Sequence, residues 1–173
     1  MFGEKFSYVI FETEWGFFGL LGNEKGLLRS CLPVENRSMA ETDLLVGISS
    51  AEFNPRWCME LQGAIKNYFM GRRINFFEDV KICWEGKSEF DREIMRGCGK
   101  IEHGKIMSYG ELAKAAGREK AVRAVGGALG RNRLPLIIPC HRVICANGKI
   151  GGFSVSGGVE LKKRMLKLEK SIL

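Results

Sequence analysis

The chain of 173 residues lacks the features of a metal-binding or membrane-inserted protein. Its six cysteines form no C-x-x-C pair, and only two histidines accompany them, so no cluster has the spacing of zinc ligands. We therefore expect no metal and no other cofactor. No apolar run is long enough to span a membrane, and from the composition of residues 1–5 we expect no signal peptide. A cytoplasmic, reducing location without disulfides is expected.

Charge is distributed unevenly along the chain. Residues 1–87 carry 10 Lys and Arg against 12 Asp and Glu, whereas residues 88–173 carry 17 against 8. The net charge of +7 therefore arises entirely in the second half. Such an excess indicates a polyanionic partner such as a nucleic acid, although a merely soluble cationic surface would look the same.

The first half has the pattern of a β-meander followed by helices. Three runs rich in aromatic and aliphatic residues, separated by Gly-containing turns, predict strands over 6–13, 16–21 and 26–32. Helices are predicted over 39–48 and from Asn54 to Met70, with Asn54 as N-cap and Pro55 at the first helical position. The 45% hydrophobic content suffices for one ordinary domain or two small ones. We predict an N-terminal α/β domain over 1–80, a linker over 81–87 with a short strand near 80–83, and a C-terminal domain over 88–173.

The second half changes to helical periodicity. Helices are predicted over 89–98, over 109–116 behind the capping box of Ser108 and Glu111, and over 120–129. Gly117 ends the second of these, so the last two form a candidate helix-turn-helix. A final helix has the apolar stripe Leu161, Met165, Leu168 and Ile172. The fold class expected is α+β: an N-terminal β-meander sheet with helices, then a mostly helical C-terminal domain containing a helix-turn-helix.

The candidate helix-turn-helix is basic and is built from small residues. From Arg118 to Arg142 there are six cationic residues and one acidic residue, and the helix 120–129 consists largely of Ala, Val and Gly. Small side chains allow the close approach that a helix needs in a DNA groove, at a cost in helix propensity. Close packing between helices inside the domain is the alternative interpretation.

Three reactive or charged residues interrupt the most apolar run of the chain. The run Leu136 to Ile144 predicts a strand, yet Cys140, His141 and Arg142 stand at its centre. A cysteine is a strong nucleophile only as the thiolate, which a neighbouring base and a cation favour. Adjacent residues of a strand point to opposite faces, so either the backbone turns after Pro139 or a water bridges the thiol and the imidazole.

A base of this kind needs a third group that orients the imidazole. Glu169 is the candidate, because it lies at the edge of the apolar stripe on the last helix. The alternative is a surface carboxylate that balances Lys162, Lys163 and Lys170. Of the other five cysteines, those at 31, 58, 83 and 98 are expected to be buried and inert.

Three motifs together identify a family. The segments Ile138–Ile144 (IPCHRVI), Ser108–Ala113 (SYGELA) and Ala121–Leu129 (AVRAVGGAL) closely resemble those of the O6-alkylguanine-DNA alkyltransferases. The resemblance covers residues 88–170 with the motifs in the expected order. The N-terminal domain is similar only in outline, through its strands and the segment 64–71, and it lacks the Cys and His residues of the zinc cluster that some members carry.

The resemblance implies a role for each matching residue. Cys140 would accept the alkyl group, with His141 as its base through a bridging water and Glu169 completing the relay. Tyr109 would sit beside the extruded base and share a proton with the guanine ring. The backbone carbonyls of Cys140 and Val143 would face the guanine amino group. The resemblance assigns the substrate-base pocket to Tyr109, Val143, Phe153, Ser154 and Ser156.

Two serines compete for the guanine oxygen because the segment 151–158 has two more residues than the family pattern. Ser154 and Ser156 therefore both remain candidate donors. The resemblance also implies that Arg123 enters the base stack in place of the extruded nucleotide and that Asn132 is a structural hinge. The residues assigned to DNA contact are Ser108, Ala121, Arg123, Gly126, Gly127, Arg131 and Arg142.

The implied function is DNA repair by direct reversal. An alkyl group would pass irreversibly from O6-alkylguanine in duplex DNA, and as a second candidate from O4-alkylthymine, to Cys140 after nucleotide flipping. Each molecule would act once, as a monomer and without a membrane partner. Two other classes of protein explain the sequence less completely. A thiol hydrolase would not need the basic helix pair, and a DNA-binding regulator would leave the Cys140 motif without a purpose.

Overall fold

The computed structural model of the protein describes residues 5–171, and these form six α-helices and six β-strands. The chain divides into two compact units. One unit comprises the residues up to Ile74 together with Val80–Cys83, and the other comprises Asn75–Asp79 together with the residues from Trp84 onward. The chain therefore passes between the two units three times near the segment where the sequence predicts a linker.

A four-stranded sheet forms the centre of the first unit. Strands β1 (Phe6–Thr13), β2 (Gly16–Asn23) and β3 (Gly26–Val34) form an antiparallel meander, and β4 (Ala51–Phe53) pairs in parallel with β1. The strand order is β3-β2-β1-β4. The meander is therefore as predicted, with β2 and β3 each two residues longer.

Two helices pack on the two faces of this sheet. Helix α1 (Arg37–Leu45) places Ala40 and Leu44 in a buried cluster with Tyr8 and Ile10 of β1. Successive strand residues point to opposite faces, so Phe11 lies on the other side, where its ring is 5.7 Å from that of Phe18. The Phe18 ring is in turn 6.1 Å from that of Phe69 in helix α2 (Met59–Phe69).

The predicted helix starts in this unit are wrong by two to five residues. Helix α1 begins at Arg37 rather than 39, because the Asn36 side chain accepts a hydrogen bond from the Met39 N–H and caps the helix. Helix α2 begins at Met59, after Cys58 in the left-handed conformation. Asn54 accepts instead from the Arg56 N–H, so it closes a turn that precedes the helix.

Four helices and a small sheet form the second unit. The helices are α3 (Glu89–Gly99), α4 (Tyr109–Ala115), α5 (Val122–Gly130) and α6 (Gly158–Leu168). Strands β5 (Met107–Ser108) and β6 (Val143–Ile144) pair in parallel. Together with the first unit, this arrangement confirms the α+β class with a mostly helical C-terminal part.

The helix-turn-helix is formed by α4 and α5. Both bonds of the predicted capping box are present, since the Ser108 side chain accepts from the Glu111 N–H and the Glu111 carboxylate accepts from the Ser108 N–H. Gly117 has a φ of +68°, a conformation that favours glycine at the end of α4. The second helix begins at Val122 rather than 120, because residues Glu119–Ala121 form a 3-10 turn.

The apolar run of residues 136–144 does not form the predicted strand. Leu136 is buried with a φ of +75°, and it turns the chain so that Pro135 and Ile138 form a bridge. After Pro139 the backbone turns again into the 3-10 turn Cys140–Arg142, so only Val143 and Ile144 are extended. The backbone turn after Pro139, one of the two arrangements that the sequence left open, is therefore present.

Helix α6 buries a different stripe from the one predicted. Leu161 and Met165 are buried as expected, but Leu168 is only partly buried, and Ile172 lies outside the described residues. Lys162 and Leu166 are buried instead, each with 0% exposure. No helix among residues 5–171 has both the length and the apolar character required to cross a membrane.

Candidate active site and DNA-binding surface

A pocket of about 110 Å³ opens beside Cys140 in the second unit. It lies between the C-terminal part of α5 and the loop that precedes α6. The residues that line it are Tyr109, Gly126, Leu129, Gly130, Asn132, Cys140, Gly152, Phe153, Ser154 and Val155. The pocket therefore joins the thiol to the helix that the sequence assigns to DNA contact.

Asn132 connects this pocket to the turn that carries the thiol. Its side-chain Nδ2 donates to the Cys140 Sγ at 3.1 Å and to the carbonyl of Ile138 at 3.0 Å, while its Oδ1 accepts from the Leu134 N–H. The predicted hinge residue thus holds the turn of residues 134–138 and also contacts the sulfur. An amide N–H that points at sulfur favours the thiolate over the thiol.

The residue Cys140 is 7% exposed, and burial raises the pKa of its thiol above the usual value. The hydrogen bond from Asn132 and the positive charge of Lys162 oppose this shift. Because burial outweighs both, the thiol needs a base that removes its proton before it can act as a nucleophile.

His141 follows Cys140 in the same 3-10 turn and carries a buried imidazole. In the 3-10 turn Cys140–Arg142, neighbouring residues no longer point to opposite faces as they would in a strand. The ring is fully buried, and its Nε2 is 2.8 Å from Oε1 of Glu169. Burial lowers the pKa of His141, which keeps the ring neutral, although the Glu169 carboxylate opposes the shift.

Arg142 does not belong to the DNA surface, and its predicted contact with DNA is wrong. The side chain is 2% exposed, and its guanidinium binds both oxygens of Glu169, with Nε 2.9 Å from Oε2 and Nη2 3.0 Å from Oε1. Its Nη1 donates to the Ile101 carbonyl at 2.5 Å. A guanidinium enclosed in this way cannot reach a phosphate.

Glu169 is correspondingly a buried residue rather than a surface carboxylate. Burial alone would raise the pKa of this carboxyl, but hydrogen bonds and charge from His141 and Arg142 hold it well below its usual range. The carboxylate is therefore ionised at neutral pH. An ionised carboxylate only accepts hydrogen bonds, so the proton of the neutral His141 ring lies on Nε2, and Nδ1 is the basic nitrogen.

The structure brings three of the five predicted base-pocket residues to the cavity. Tyr109, Phe153 and Ser154 line it, and burial raises the pKa of the Tyr109 hydroxyl, which keeps it protonated. Neither Val143 nor Ser156 is among the lining residues in the described part of the chain. Ser154 is thus the serine of the two that faces the cavity.

One residue beside this site, expected from the sequence to be a surface cation, is buried. Lys162 has 0% exposure, and its Nζ donates to the carbonyls of Val143 at 2.6 Å and Gly152 at 3.3 Å. The buried stripe of α6 includes Lys162 and Leu166, each of which follows a residue of the predicted stripe. In the sequence, burial of Lys162 is indicated only by its position next to the apolar residue Leu161.

Five of the seven residues assigned to DNA contact lie in α5 or at its two ends. Arg123 is exposed in the first turn of α5, and Gly127 is exposed one turn later. Ala121 and Gly126 are half-buried, as is Ser108 at the start of α4. The opposite face of α5 is buried through Val125, Ala128 and Leu129. The small residues therefore pack inside the domain on one side of the helix and leave a surface open to DNA on the other, so both interpretations of the sequence apply.

Arg131 occupies the end of α5 but has a protein partner. Its Nε and Nη2 bind the two carboxylate oxygens of Asp91 at 3.2 and 2.6 Å, while 58% of the side chain remains exposed. Its Nη1 lies 3.3 Å from the position that a Cβ on Gly127 would take. Arg131 therefore stays at the predicted DNA surface with a fixed orientation.

Within residues 5–171 we find no group of three or more His, Cys, Asp or Glu side chains arranged to hold a metal ion. The six cysteines are all free thiols, and Cys31, Cys83, Cys98 and Cys140 are buried.

Comparison with protein-family models identifies residues 89–171 as a match to the DNA-binding domain of 6-O-methylguanine DNA methyltransferase. A methylated-DNA–protein-cysteine methyltransferase of Methanosarcina acetivorans is 38% identical over 164 residues, covering 95% of this chain and 98% of the relative. One from Haemophilus influenzae is 37% identical over 125 residues, covering 68% of each chain.

Solved structures of similar proteins cover both units. The crystal structure of Mycobacterium tuberculosis OGT in complex with DNA has a TM-score of 0.78 and 31% identity, and covers 95% of this chain and 93% of its own. O6-methylguanine-DNA methyltransferase from Pyrococcus kodakaraensis has a TM-score of 0.70 at 24% identity over 95% of this chain and 98% of its own, which supports the fold alone.

The buried carboxylate generates a prediction about stability. Glu169→Gln should lower the free energy of unfolding at pH 7 by about 3–5 kcal/mol, because it leaves the Arg142 guanidinium buried without its counter-charge. The folded pKa of Glu169 is depressed, so its contribution is present above the unfolded value of about 4.3 and is lost as the pH falls below it. The stability gap between wild type and variant, measured by urea unfolding, should therefore narrow between pH 6 and pH 3.

Glu160→Gln is the matched control, because Glu160 is an exposed carboxylate on the same helix, paired with Lys163. Its effect should remain below about 0.5 kcal/mol. A gap for Glu169→Gln that stays constant with pH would contradict the assignment of an ionised, charge-paired Glu169.

Proposed function

The chain belongs to the methylated-DNA–protein-cysteine methyltransferase family, a family of DNA-repair alkyltransferases, and from this premise we propose that Cys140 accepts the alkyl group of O6-alkylguanine in duplex DNA. The observation that carries the proposal is the 3-10 turn Cys140–Arg142. It sets the Cys140 sulfur against the pocket while the adjacent His141 is paired with the buried Glu169. Nucleophile, base and orienting acid thus lie in one arrangement.

The transfer proceeds as a displacement at the alkyl carbon. The thiol proton of Cys140 passes through a water to Nδ1 of His141, and Glu169 stabilises the imidazolium that forms. The thiolate then attacks the alkyl carbon, so that an S–C bond forms while the C–O6 bond breaks with its electron pair leaving on guanine. Tyr109, which burial keeps protonated, passes its hydroxyl proton to the guanine anion, and the proton held by His141 returns to Tyr109 through solvent, so that the products are neutral guanine and S-alkylated Cys140.

The alkylated oxygen lies inside the duplex, so the nucleotide must leave the base stack before Cys140 can reach it. Extrusion costs a few kcal/mol, least for a damaged pair. Arg123 fills the vacated position from the exposed first turn of α5, and the basic C-terminal half supplies backbone affinity. Ala121, Gly126, Gly127 and Arg131 form the surrounding contact surface.

O4-alkylthymine presents the same kind of alkyl-oxygen bond on a smaller base, and it is the second candidate substrate. Every group in the scheme comes from one chain, so a monomer suffices. The protein would act wherever the cellular DNA is held, and the reaction uses no cofactor because the thiol itself is the acceptor.

The test of the acceptor is the intact mass after incubation with a duplex that contains O6-methylguanine. Wild type should gain one methyl group, mapped by peptide analysis to Cys140. Cys140→Ser should bind the duplex with unchanged affinity but gain no mass, because a hydroxyl with a pKa far above 7 is not ionised by a His–Glu pair. Cys145→Ser, which removes the nearest thiol in sequence, should remain active. An exchange of the two phenotypes would move the acceptor to Cys145.

A second prediction separates the proposed role of Arg123 from general DNA affinity. A residue that fills the vacated stack matters for a duplex but hardly for a free base. Arg123→Ala should slow repair of the methylated duplex at least about tenfold, equivalent to about 1.4 kcal/mol, while the rate with free O6-benzylguanine stays unchanged. Single-turnover rates on both substrates provide the comparison. Equal losses on the two would place Arg123 in the active site itself.

The third prediction concerns turnover. Transfer leaves a thioether on Cys140, and a thiolate is too poor a leaving group from an unactivated alkyl carbon for water to restore it. With methylated duplex in excess, the number of repaired sites should therefore equal the number of active molecules. The added carbon also crowds the sulfur against Asn132, so the product should lose about 1–3 kcal/mol of stability and melt earlier. Repair of several sites per molecule without added thiol would refute single use.

A further inference from the structure

Three cations gather at the C-terminal end of α5, beside the pocket. The Nζ of Lys87 donates to the carbonyl of Arg131, the residue at which α5 ends, at 2.9 Å. Burial lowers the pKa of Lys87, and the positive charges of Arg133 and Arg131 lower it further. Gly130 and Asn132, which alternate with the two arginines, line the pocket. One short segment therefore carries two of the cations and part of the pocket wall.

Two of these cations are held in place by the protein itself. Arg131 binds the two carboxylate oxygens of Asp91 through its Nε at 3.2 Å and its Nη2 at 2.6 Å. Lys87 is half-buried, and its carbonyl accepts from the Nε of Arg92 at 3.1 Å. Side chains that are already ordered lose little conformational entropy when a ligand binds. Lys87 and Arg131 are therefore preorganised.

The three side chains keep hydrogen-bond donors that the protein does not use. An ammonium has three N–H groups, and one of those on Lys87 is directed at the Arg131 carbonyl. The Nη1 of Arg131 is not bound by Asp91 and lies 3.3 Å from the position that a Cβ on the exposed Gly127 would take. Arg133 is exposed, with neither a hydrogen bond nor an ion pair to the part of the chain that the structure describes. These donors suit a ligand with several anionic oxygens.

The charge of the group is also unbalanced. Asp91 is the carboxylate that acts on Lys87 among the described residues, so three cations are set against one anion. The positive end of Lys87 also stabilises the dipole at the C-terminus of α5, but this interaction does not require Arg133. A bound anion would relieve the mutual repulsion of the three cations.

We propose that Lys87, Arg131 and Arg133 form a phosphate site that binds one phosphodiester of the DNA directly next to the extruded nucleotide. This inference rests on the proposed function, in which the damaged base enters the pocket. The backbone of a nucleotide whose base lies in the pocket must pass its rim, and Gly130 and Asn132 belong to that rim. Of the three residues, Lys87 and Arg133 extend the contact surface beyond the residues named above.

The experiment removes one phosphate charge at a time. A duplex with O6-methylguanine carries a single neutral methylphosphonate at each linkage within three nucleotides of the lesion, and Kd is measured by fluorescence anisotropy. Cys140→Ser serves as the parent protein, so that no transfer occurs. At the linkage directly 5′ or 3′ of the lesion, the neutral group should weaken binding to the parent about tenfold. With Lys87→Met/Arg133→Met added, the same replacement should weaken binding less than about twofold.

Lys100→Met/Lys163→Met is the matched control in the same parent. It also removes two positive charges, from exposed side chains at the end of α3 and on α6. Its response to the neutral linkage should equal that of the parent. If the parent and Lys87→Met/Arg133→Met respond alike at both flanking linkages, or if the control loses the response as well, the proposal is overturned.

Two further measurements separate phosphate binding from a structural role. The slope of log Kobs against log salt concentration should become less negative by about 0.9 in Lys87→Met/Arg133→Met, the value for one phosphate contact. With Cys140 present, the same double variant should react with free O6-benzylguanine at the wild-type rate, since that substrate has no phosphate. A slower reaction with the free base and an unchanged salt slope would identify a structural role and overturn the proposal. Failure of the proposed function would instead appear as no mass gain in wild type.

Discussion

The second unit depends on one buried carboxylate. Glu169, at the end of α6, accepts from the guanidinium of Arg142 through both of its oxygens and from the His141 imidazole at 2.8 Å. Arg142 extends the network to the Ile101 carbonyl and to Asn75. The end of a helix, a 3-10 turn and two loops are thereby joined around a single negative charge. Removal of that charge would leave an unpaired guanidinium in the core, so the network is conditional on Glu169 being ionised.

This network explains how the three consecutive residues Cys140 to Arg142 perform different roles. The 3-10 turn directs Cys140 to the pocket and both His141 and Arg142 to the carboxylate behind it. Two electrostatic environments result on the two sides of one short turn. On one side an anionic carboxylate is shared between a cation and a neutral base, and on the other a thiol faces Asn132 and the ammonium of Lys162. The base stays neutral and the sulfur remains near positive charge, which is the polarity that a thiolate nucleophile requires.

The helix proposed to contact DNA has a buried side and an open side. Val125, Ala128 and Leu129 hold α5 against the neighbouring helices, while Arg123 and Gly127 remain on the open side. Arg131 is fixed by Asp91 at the end of the helix, and Asn132 follows directly with its contact to the Cys140 sulfur. Asn132 therefore connects the end of the helix proposed to contact the phosphate backbone to the sulfur of the nucleophile.

The amino-acid sequence by itself determined the features that depend on local patterns. Alternating apolar residues and glycine turns located β1 to β3, the capping box located α4, and the motif around Cys140 identified the family and the candidate nucleophile. From local patterns alone, the start of α2 was predicted too early, and a strand was predicted over residues 136–144. The strand does not form because Leu136 adopts a positive φ, which the packed interior and the hydrogen bonds of Asn132 stabilise. The tertiary structure alone decided that Arg142 and Lys162 are buried. A charged side chain is buried only where polar or charged partners compensate its charge. The partner of Arg142 is Glu169, 27 residues away along the chain, and that of Lys162 is the Val143 carbonyl, 19 residues away.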